Sequence, residues 1–287
     1  MNWEEVIRFI RKNPDYADLV EKAYFEKDLQ LNISRYGQSD EFLEILGIIQ
    51  RYFNGNKLEI VDVGAGNGIA AINFALKGHS VVAVEPDQSN TIGNGAIAIS
   101  ANYNSLSEFT IIESYGENIP LKSSSFDLVF VRQALHHAND LDKFMLEAQR
   151  LLKHGGLFLA IREHVIYNQQ DKDWFLQEHP LQKFYGGENA FTLNQYTSAL
   201  KSANLKLIRV LKYYDSIINY FPITTNQIHQ KQKQRKDRVE FILHKVHLGK
   251  ISFLWPIVSF LIDLKEGKVL DERKVPGRMY SFLAMKK

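Results

Sequence analysis

Val61-Asp62-Val63-Gly64-Ala65-Gly66-Asn67-Gly68, the stretch VDVGAGNG, lies where a short β-rich run starting at Leu58 gives way to a helical pattern. Its three glycines let the backbone turn tightly and approach a ligand, and the helix that follows offers unpaired N–H groups. A dinucleotide-binding fingerprint would place its third glycine at position 69. Ile69 stands there instead, so the spacing is G-x-G-x-G. Asp62 precedes the first glycine by two residues. A carboxylate there repels a pyrophosphate and attracts a ligand carrying an ammonium or sulfonium charge. Glu85 closes the next β-rich run, 21 residues after Gly64. At that spacing in a doubly wound sheet a carboxylate can accept hydrogen bonds from both ribose hydroxyls.

Outward from this turn the chain alternates. LEIVDV, SVVAVE at 80–85, FTIIE at 109–113, FDLVFV at 126–131 and GLFLAI at 156–161 are near-continuous apolar runs separated by helical patterns, which predicts a parallel sheet covered on both faces. Leu141, Phe144, Met145, Ala148, Leu151 and Leu152 form one helix stripe, opened by Asn139 or Asp140 and closed by Gly155-Gly156. Thr192 and Gln195 make a capping box ahead of another helix, which leads into a sixth strand at 205–214. GRMYSFLAMKK at the end alternates like a last strand. Residues 1–52 read as a helical prefix, with Val6, Phe9, Ile10 and later Phe42, Ile45, Leu46, Ile49 on buried faces. The expected division is 1–52 helical lid, 53–214 ligand-binding core, 215–277 helical cap insertion and 278–287 final core strand.

Composition narrows the chemistry. Of 287 residues none is cysteine, which excludes disulfides, thiolate metal sites and a cysteine nucleophile. Lys+Arg 35 against Asp+Glu 33 leaves +2, so any basic partner surface is local. The N-terminus lacks the pattern of a secretory signal, and the longest apolar run, 251–264, is broken by Pro256 and too short to span a bilayer. The expected address is cytoplasmic, with peripheral membrane association left open.

VDVGAGNG with Glu85, then ENIPLKSSSFDLVFVRQALHH, then LLKHGG, resembles the class I S-adenosylmethionine-dependent methyltransferases, particularly the small-molecule group that includes the ubiquinone-biosynthesis type. The resemblance spans about residues 35–165. It implies an α/β fold: a Rossmann-like, seven-stranded, mostly parallel sheet with a helical N-terminal lid and a helical insertion before the last strand. It implies S-adenosylmethionine as cofactor and S-adenosylhomocysteine as product. Asp62, Gly64, Ala65, Gly66 and Gly68 would hold the methionine end, Glu85 with Pro86 the ribose, and Gly116 with Glu117 the adenine. Many relatives carry an acid where Tyr115 stands, so Ser114, Glu117 or the backbone alone could make the adenine contact.

Ligands of open α/β sheets lie beyond the carboxyl ends of the strands. This singles out Arg132, Gln133, His136 and His137 after the fourth strand, and Arg162, Glu163 and His164 after the fifth. Arg132 is assigned to the cofactor side. His136 and His137 are the catalytic candidates, although either could simply cap or pack under the next helix. No metal ligand set is expected, because adjacent histidines on a turn rarely point at one ion and no matching carboxylate-histidine spacing follows. Glu188 and Asn189, in YGGENAFT, belong either to an acceptor loop or to an ordinary helix start. Tyr36, with Asn32 and Arg35, could touch cofactor or acceptor.

The basic stretch 231–250 carries seven Lys+Arg against two Asp+Glu and precedes the apolar run. Three readings compete. One is a cap whose apolar face covers the site. Another is an interfacial surface of Lys231, Lys233, Arg235, Lys236 and Arg238 beside Phe253, Leu254, Trp255 and Phe260, suited to a lipid or lipid-linked glycan. The last is nonspecific phosphate attraction, with tRNA as a minor alternative. VRQALHH stands where methyltransferases of exocyclic base amines carry N/D-P-P-Y, which argues against nucleic acid. The expected function is methyl transfer to a small-molecule, sugar or lipid-linked acceptor. A noncatalytic cofactor-binding protein is the alternative from another class, and a dehydrogenase stays formally open.

Overall fold

The computed structural model describes residues 1–245, 254–266 and 268–287. Eight strands occur among them: β1 (Glu59–Val63), β2 (Ser80–Val84), β3 (Phe109–Ile112), β4 (Phe126–Arg132), β5 (Leu152–Ile166), β6 (Phe191–Thr192), β7 (Leu205–Leu211) and β8 (Met279–Lys286). Seven of them run in the order β3-β2-β1-β4-β5-β8-β7, and the two-residue β6 pairs the far end of β5. The expected seven-stranded sheet therefore gains one short strand. β1 through β5 pair in parallel, whereas β8 lies antiparallel between β5 and β7.

The helices are α1 (Trp3–Ile10), α2 (Ala17–Lys22), α3 (Leu29–Gly37), α4 (Asp40–Phe53), α5 (Ile69–Leu76), α6 (Asn94–Tyr103), α7 (Leu141–Leu151), α8 (Gln169–Glu178), α9 (Gln182–Tyr185), α10 (Leu193–Ser202), α11 (Ile217–Tyr220), α12 (Thr225–Lys245) and α13 (Trp255–Glu266). Successive strand residues face opposite sides, and this alternation sorts the core into two layers. Val61, Val129, Val131, Phe158 and Ala160 pack against α7 and α10 through Met145, Ala148 and Leu200. Ile60, Leu128, Phe130, Leu157 and Leu159 pack against α4 and α5 through Ile45, Ile49, Ile72 and Phe74.

The prefix divides. Asn2 opens α1 with a capping box on Glu5, and Val6, Ile7 and Ile10 then pack with Val20, Ile92 and Leu181 in a separate cluster. α3 and α4 instead contribute Ile33, Phe42 and Ile45 to the sheet layer. α12 packs along α13, with Arg235 bonded to Ser259 and Asp263. Residues 246–253 of the basic stretch and the apolar run, Phe253 among them, lie outside the described residues.

β5 outruns its sequence signal by several residues at each end. Its pairing with β8 shifts register between Ala160 and Glu163, around Arg162, whose φ of 57° is unusual for a side chain of that size. The expected sixth strand stops at Leu211, and Tyr213–Asp215 turn into a 3₁₀ helix.

Candidate active site

A cavity of about 570 Å³ opens beyond the carboxyl ends of β1 and β4, where the strand order reverses. That size lies in the usual range for a small-molecule site. The turn after β1 forms one wall. Gly64 and Gly66 adopt φ of 74° and 57°. A Cβ on Gly64 would lie 2.3 Å from that of Ala134, whereas one on Gly66 would meet no protein atom and would project into open space. The backbone can therefore serve directly as a ligand cradle there.

Asp62, almost fully buried, lines this wall, and neither of its carboxylate oxygens has a hydrogen-bond partner. Burial pushes its carboxyl up to about 7, with Glu85 adding to the rise, and the nearby Ala71 amide, which falls short of hydrogen-bond geometry, and Arg132 opposing it. A buried unpaired carboxylate is costly, and a cationic ligand group relieves that cost. Glu85 accepts from the Gly66 amide at 2.7 Å and the Asp87 amide at 2.9 Å, and its pKa is raised, chiefly by burial. Each of its oxygens keeps a second lone pair for a ligand hydroxyl. Pro86 and Ala65 line the same wall, and Ser114, Tyr115, Gly116 and Glu117 line the next. Gly116 leaves room that the Phe144 ring fills, since a Cβ would lie 2.1 Å from it. Glu117 accepts from the Asn139 and Asp140 amides and so ties this wall to the start of α7.

Arg132 reaches the cavity, but its guanidinium is already engaged. It bonds Glu41 through Nε at 2.7 Å and stacks on Tyr36 at 5.1 Å. Arg162 lies 3.4 Å from the same carboxylate. Burial alone would raise the Glu41 pKa; the two arginines hold it below the usual range. Two expected contacts are corrected here. Arg162 donates to the Ile218 and Phe221 carbonyls and is not on the cavity wall. Tyr36 is fully buried beneath Arg132, its hydroxyl donating to Glu41. Sequence reading missed Glu41 altogether, because nothing about one acid in the first turn of α4 marks it as the partner of two distant arginines.

At the opposite end three histidines converge on Glu188. Its carboxylate lies 3.7 Å from His136 Nε2, 3.9 Å from His137 Nε2 and 3.6 Å from His179 Nε2. Tyr185 donates its hydroxyl to the same group. His136, His137, His179 and Glu188 line the cavity. Glu163 and His164 stand behind them: Glu163 accepts from His136 Nδ1 at 2.7 Å, and His164 Nδ1 bonds the Gly277 carbonyl at 2.6 Å. Burial acts to lower the His136 pKa, yet Glu163 and Glu188 push it up to about 9. His164 is held well below its ordinary value, by burial first and His136 second. Asn189, expected beside the acceptor, is instead paired with Lys172. His179 carries no sequence signal, being a lone histidine after a helix.

The roof also departs from expectation. None of the described residues of 215–277 lines the cavity. β7 is the last strand of the sheet order, so the insertion that follows it leaves from the far margin. Trp3, Leu19, Ala23 and Phe25 of the N-terminal segment, with Leu181 and Tyr185, cover the cavity instead.

Residues 61–160 match the family model described as Methyltransferase domain. The ubiquinone/menaquinone biosynthesis C-methyltransferase of Rickettsia prowazekii is 24% identical over 55% of this chain and 62% of its own length. A sterol 4-C-methyltransferase of Caenorhabditis elegans is 25% identical over 52% of this chain and 44% of its own. The chain thus spans roughly half the length of these curated relatives. Among solved structures, the geranyl diphosphate C-methyltransferase of Streptomyces coelicolor, in complex with Mg2+, geranyl diphosphate and S-adenosylhomocysteine, superposes with a TM-score of 0.57 at 13% identity, covering 98% of this chain and 88% of that one. This likeness establishes the shared fold.

Proposed function

We propose that this chain, which carries a class I S-adenosylmethionine-dependent methyltransferase domain of the ubiquinone-biosynthesis-like group, transfers a methyl group to a small-molecule acceptor bound at the histidine end of its cavity. The observation that carries the reading is the unpartnered Asp62 carboxylate on a glycine-cradled wall. An acid in that place suits the ammonium of the methionine end far better than a phosphate. In this reading Glu85 takes the ribose hydroxyls and Ser114–Glu117 flank the adenine. The cofactor supplies a methyl carbon activated by its sulfonium. The protein's part is alignment and exclusion of water, which can be worth roughly 7–11 kcal/mol.

His136 and His137 stand where the acceptor would arrive; His137, whose pKa burial lowers, can accept its proton, while His136 is held by Glu163 and Glu188. Relatives named for quinone, sterol and prenyl diphosphate substrates support an apolar acceptor. So do Trp3, Leu19, Phe25 and Leu181 in the roof. A lipid or lipid-linked acceptor is the finer form of the proposal. It is favoured by α13, where Ile257, Phe260, Leu261 and Leu264 are exposed beside the basic α12. Among the described residues no helix is long and apolar enough to cross a membrane, so any such contact is peripheral.

The test uses methyl-labelled S-adenosylmethionine with quinol, sterol and prenyl pools, together with thermal melts. Enzyme-dependent label transfer and stabilisation by S-adenosylhomocysteine are expected. Stabilisation by NAD(H) but not by S-adenosylhomocysteine would overturn the reading, because only a ligand of the native state raises its melting point.

A further inference from the structure

We infer that His136, His164 and Glu188, with His179 as a fourth donor, form a binding site for one divalent transition-metal ion at the acceptor end of the cavity. One donor atom from each of the first three lies within 4.8 Å of the others, and His179 Nε2 is 3.6 Å from Glu188. Two ligands bound at 2.0–2.1 Å to one tetrahedral ion are about 3.4 Å apart, so small side-chain rotations close this set around a cation.

The outer contacts point the same way. A ligating histidine almost always gives its other ring nitrogen to a carboxylate or a backbone carbonyl, which fixes the ring and its tautomer. His136 Nδ1 is held by Glu163 at 2.7 Å, leaving Nε2 aimed at Glu188. His164 Nδ1 is held by the Gly277 carbonyl at 2.6 Å, leaving its Nε2 as the donor. Charge completes the argument. Glu163 is buried and the Glu188 side chain nearly so, and among the ion pairs of the described residues they face only histidines. Two inward carboxylates without a lysine or arginine accommodate a dication readily.

Sequence spacing argued against such a site because the adjacent His136-His137 pair cannot chelate alone. The fold supplies the remaining donors from β5, from the residue after α8 and from the loop before β6. An imidazole-rich set with one carboxylate and no sulfur suits zinc, iron(II) or neighbouring ions rather than magnesium or calcium. His136 and Glu188 border the cavity, so an open coordination position would face the acceptor.

The ion's role rests on the methyltransferase reading. An acceptor hydroxyl or enol bound to it gives its proton to water. The oxygen lone pair then forms the new C–O bond while the methyl C–S bond breaks and leaves its electrons on sulfur.

The experiment uses tag-free full-length protein, stripped with chelator and titrated with Zn2+ by calorimetry and with Co2+ by absorbance. S-adenosylhomocysteine is titrated in parallel. Wild type should take up one ion per chain and give ligand-field bands. His164→Gln and Glu188→Gln should weaken binding at least 100-fold, and Glu163→Gln about 10- to 100-fold, with S-adenosylhomocysteine binding retained as the measure of folding. Failure of wild type to bind stoichiometrically while S-adenosylhomocysteine binds overturns the metal site alone. So does undiminished ion binding in the folded variants. Ion binding without S-adenosylhomocysteine binding upholds the metal site and overturns the methyltransferase reading.

Discussion

At the scale of single residues, Asp62 concentrates the conflict between stability and binding. Its folded-state pKa of about 7 lies well above the ordinary aspartate value of 3.8. Between those values the native state holds a proton that the unfolded chain has lost. This contribution to stability therefore falls as pH rises from about 4 to about 7 and is level above that. A ligand ammonium has the opposite preference, since it wants the carboxylate ionised. Affinity for S-adenosylhomocysteine, followed by calorimetry, should accordingly decline as pH drops through about 7. Asp62→Asn should separate the two effects: the ligand-free protein gains roughly 1–3 kcal/mol in denaturant melts, while cofactor affinity falls at least tenfold. The places of Asp62, Glu85, Gly64 and Gly66 on the cavity wall were legible in the sequence because they follow from local spacing, whereas Gly68 does not line the cavity and caps α5. His179 and Glu41 were not legible, because each acquires its partners only through long-range packing.

Between elements, the Glu41 carboxylate fastens α4 to the ends of β4 and β5. It is fully buried between Arg132 at 2.7 Å and Arg162 at 3.4 Å. Glu41→Ala leaves two guanidinium groups without their carboxylate, and a loss of about 3–5 kcal/mol is expected in denaturant unfolding. Glu41→Gln should recover only part of it. The strand positions of β1 to β4 follow from apolar runs, so the alternation that builds both core layers could be read beforehand. The far end of β5 could not. A bulge at Arg162, carried by a residue in left-handed conformation, has no glycine or asparagine to announce it. It decides that Arg162 turns to α11 and Glu41 while Glu163 meets His136. Reading Arg162, Glu163 and His164 as acceptor contacts placed them beyond the end of the fifth strand, whereas β5 runs on to Ile166.

Across the whole molecule, α12 and α13 stand apart from the cavity. Ile228 joins the main core, and Arg235 is spent on Asp263 within the helix pair. Lys231, Lys233 and Lys236 are exposed on α12, which packs along α13 and its exposed apolar residues. Sedimentation with vesicles should show binding to anionic membranes that weakens as salt rises, and Phe260→Asp with Leu264→Asp should abolish it while leaving cofactor affinity intact. Equal binding to neutral vesicles, or none to anionic ones, would remove the lipid part of the functional reading. The sheet order also governs how the chain is made. β8 fills the slot between β5 and β7, yet it leaves the ribosome after both. Until then the apolar margin of β5 from Leu157 to Ile161 lacks its partner, and such margins invite association with other nascent chains. Translation that stalls before residue 279 should yield a product prone to clumping, even though the cofactor-cradling half has already been synthesised.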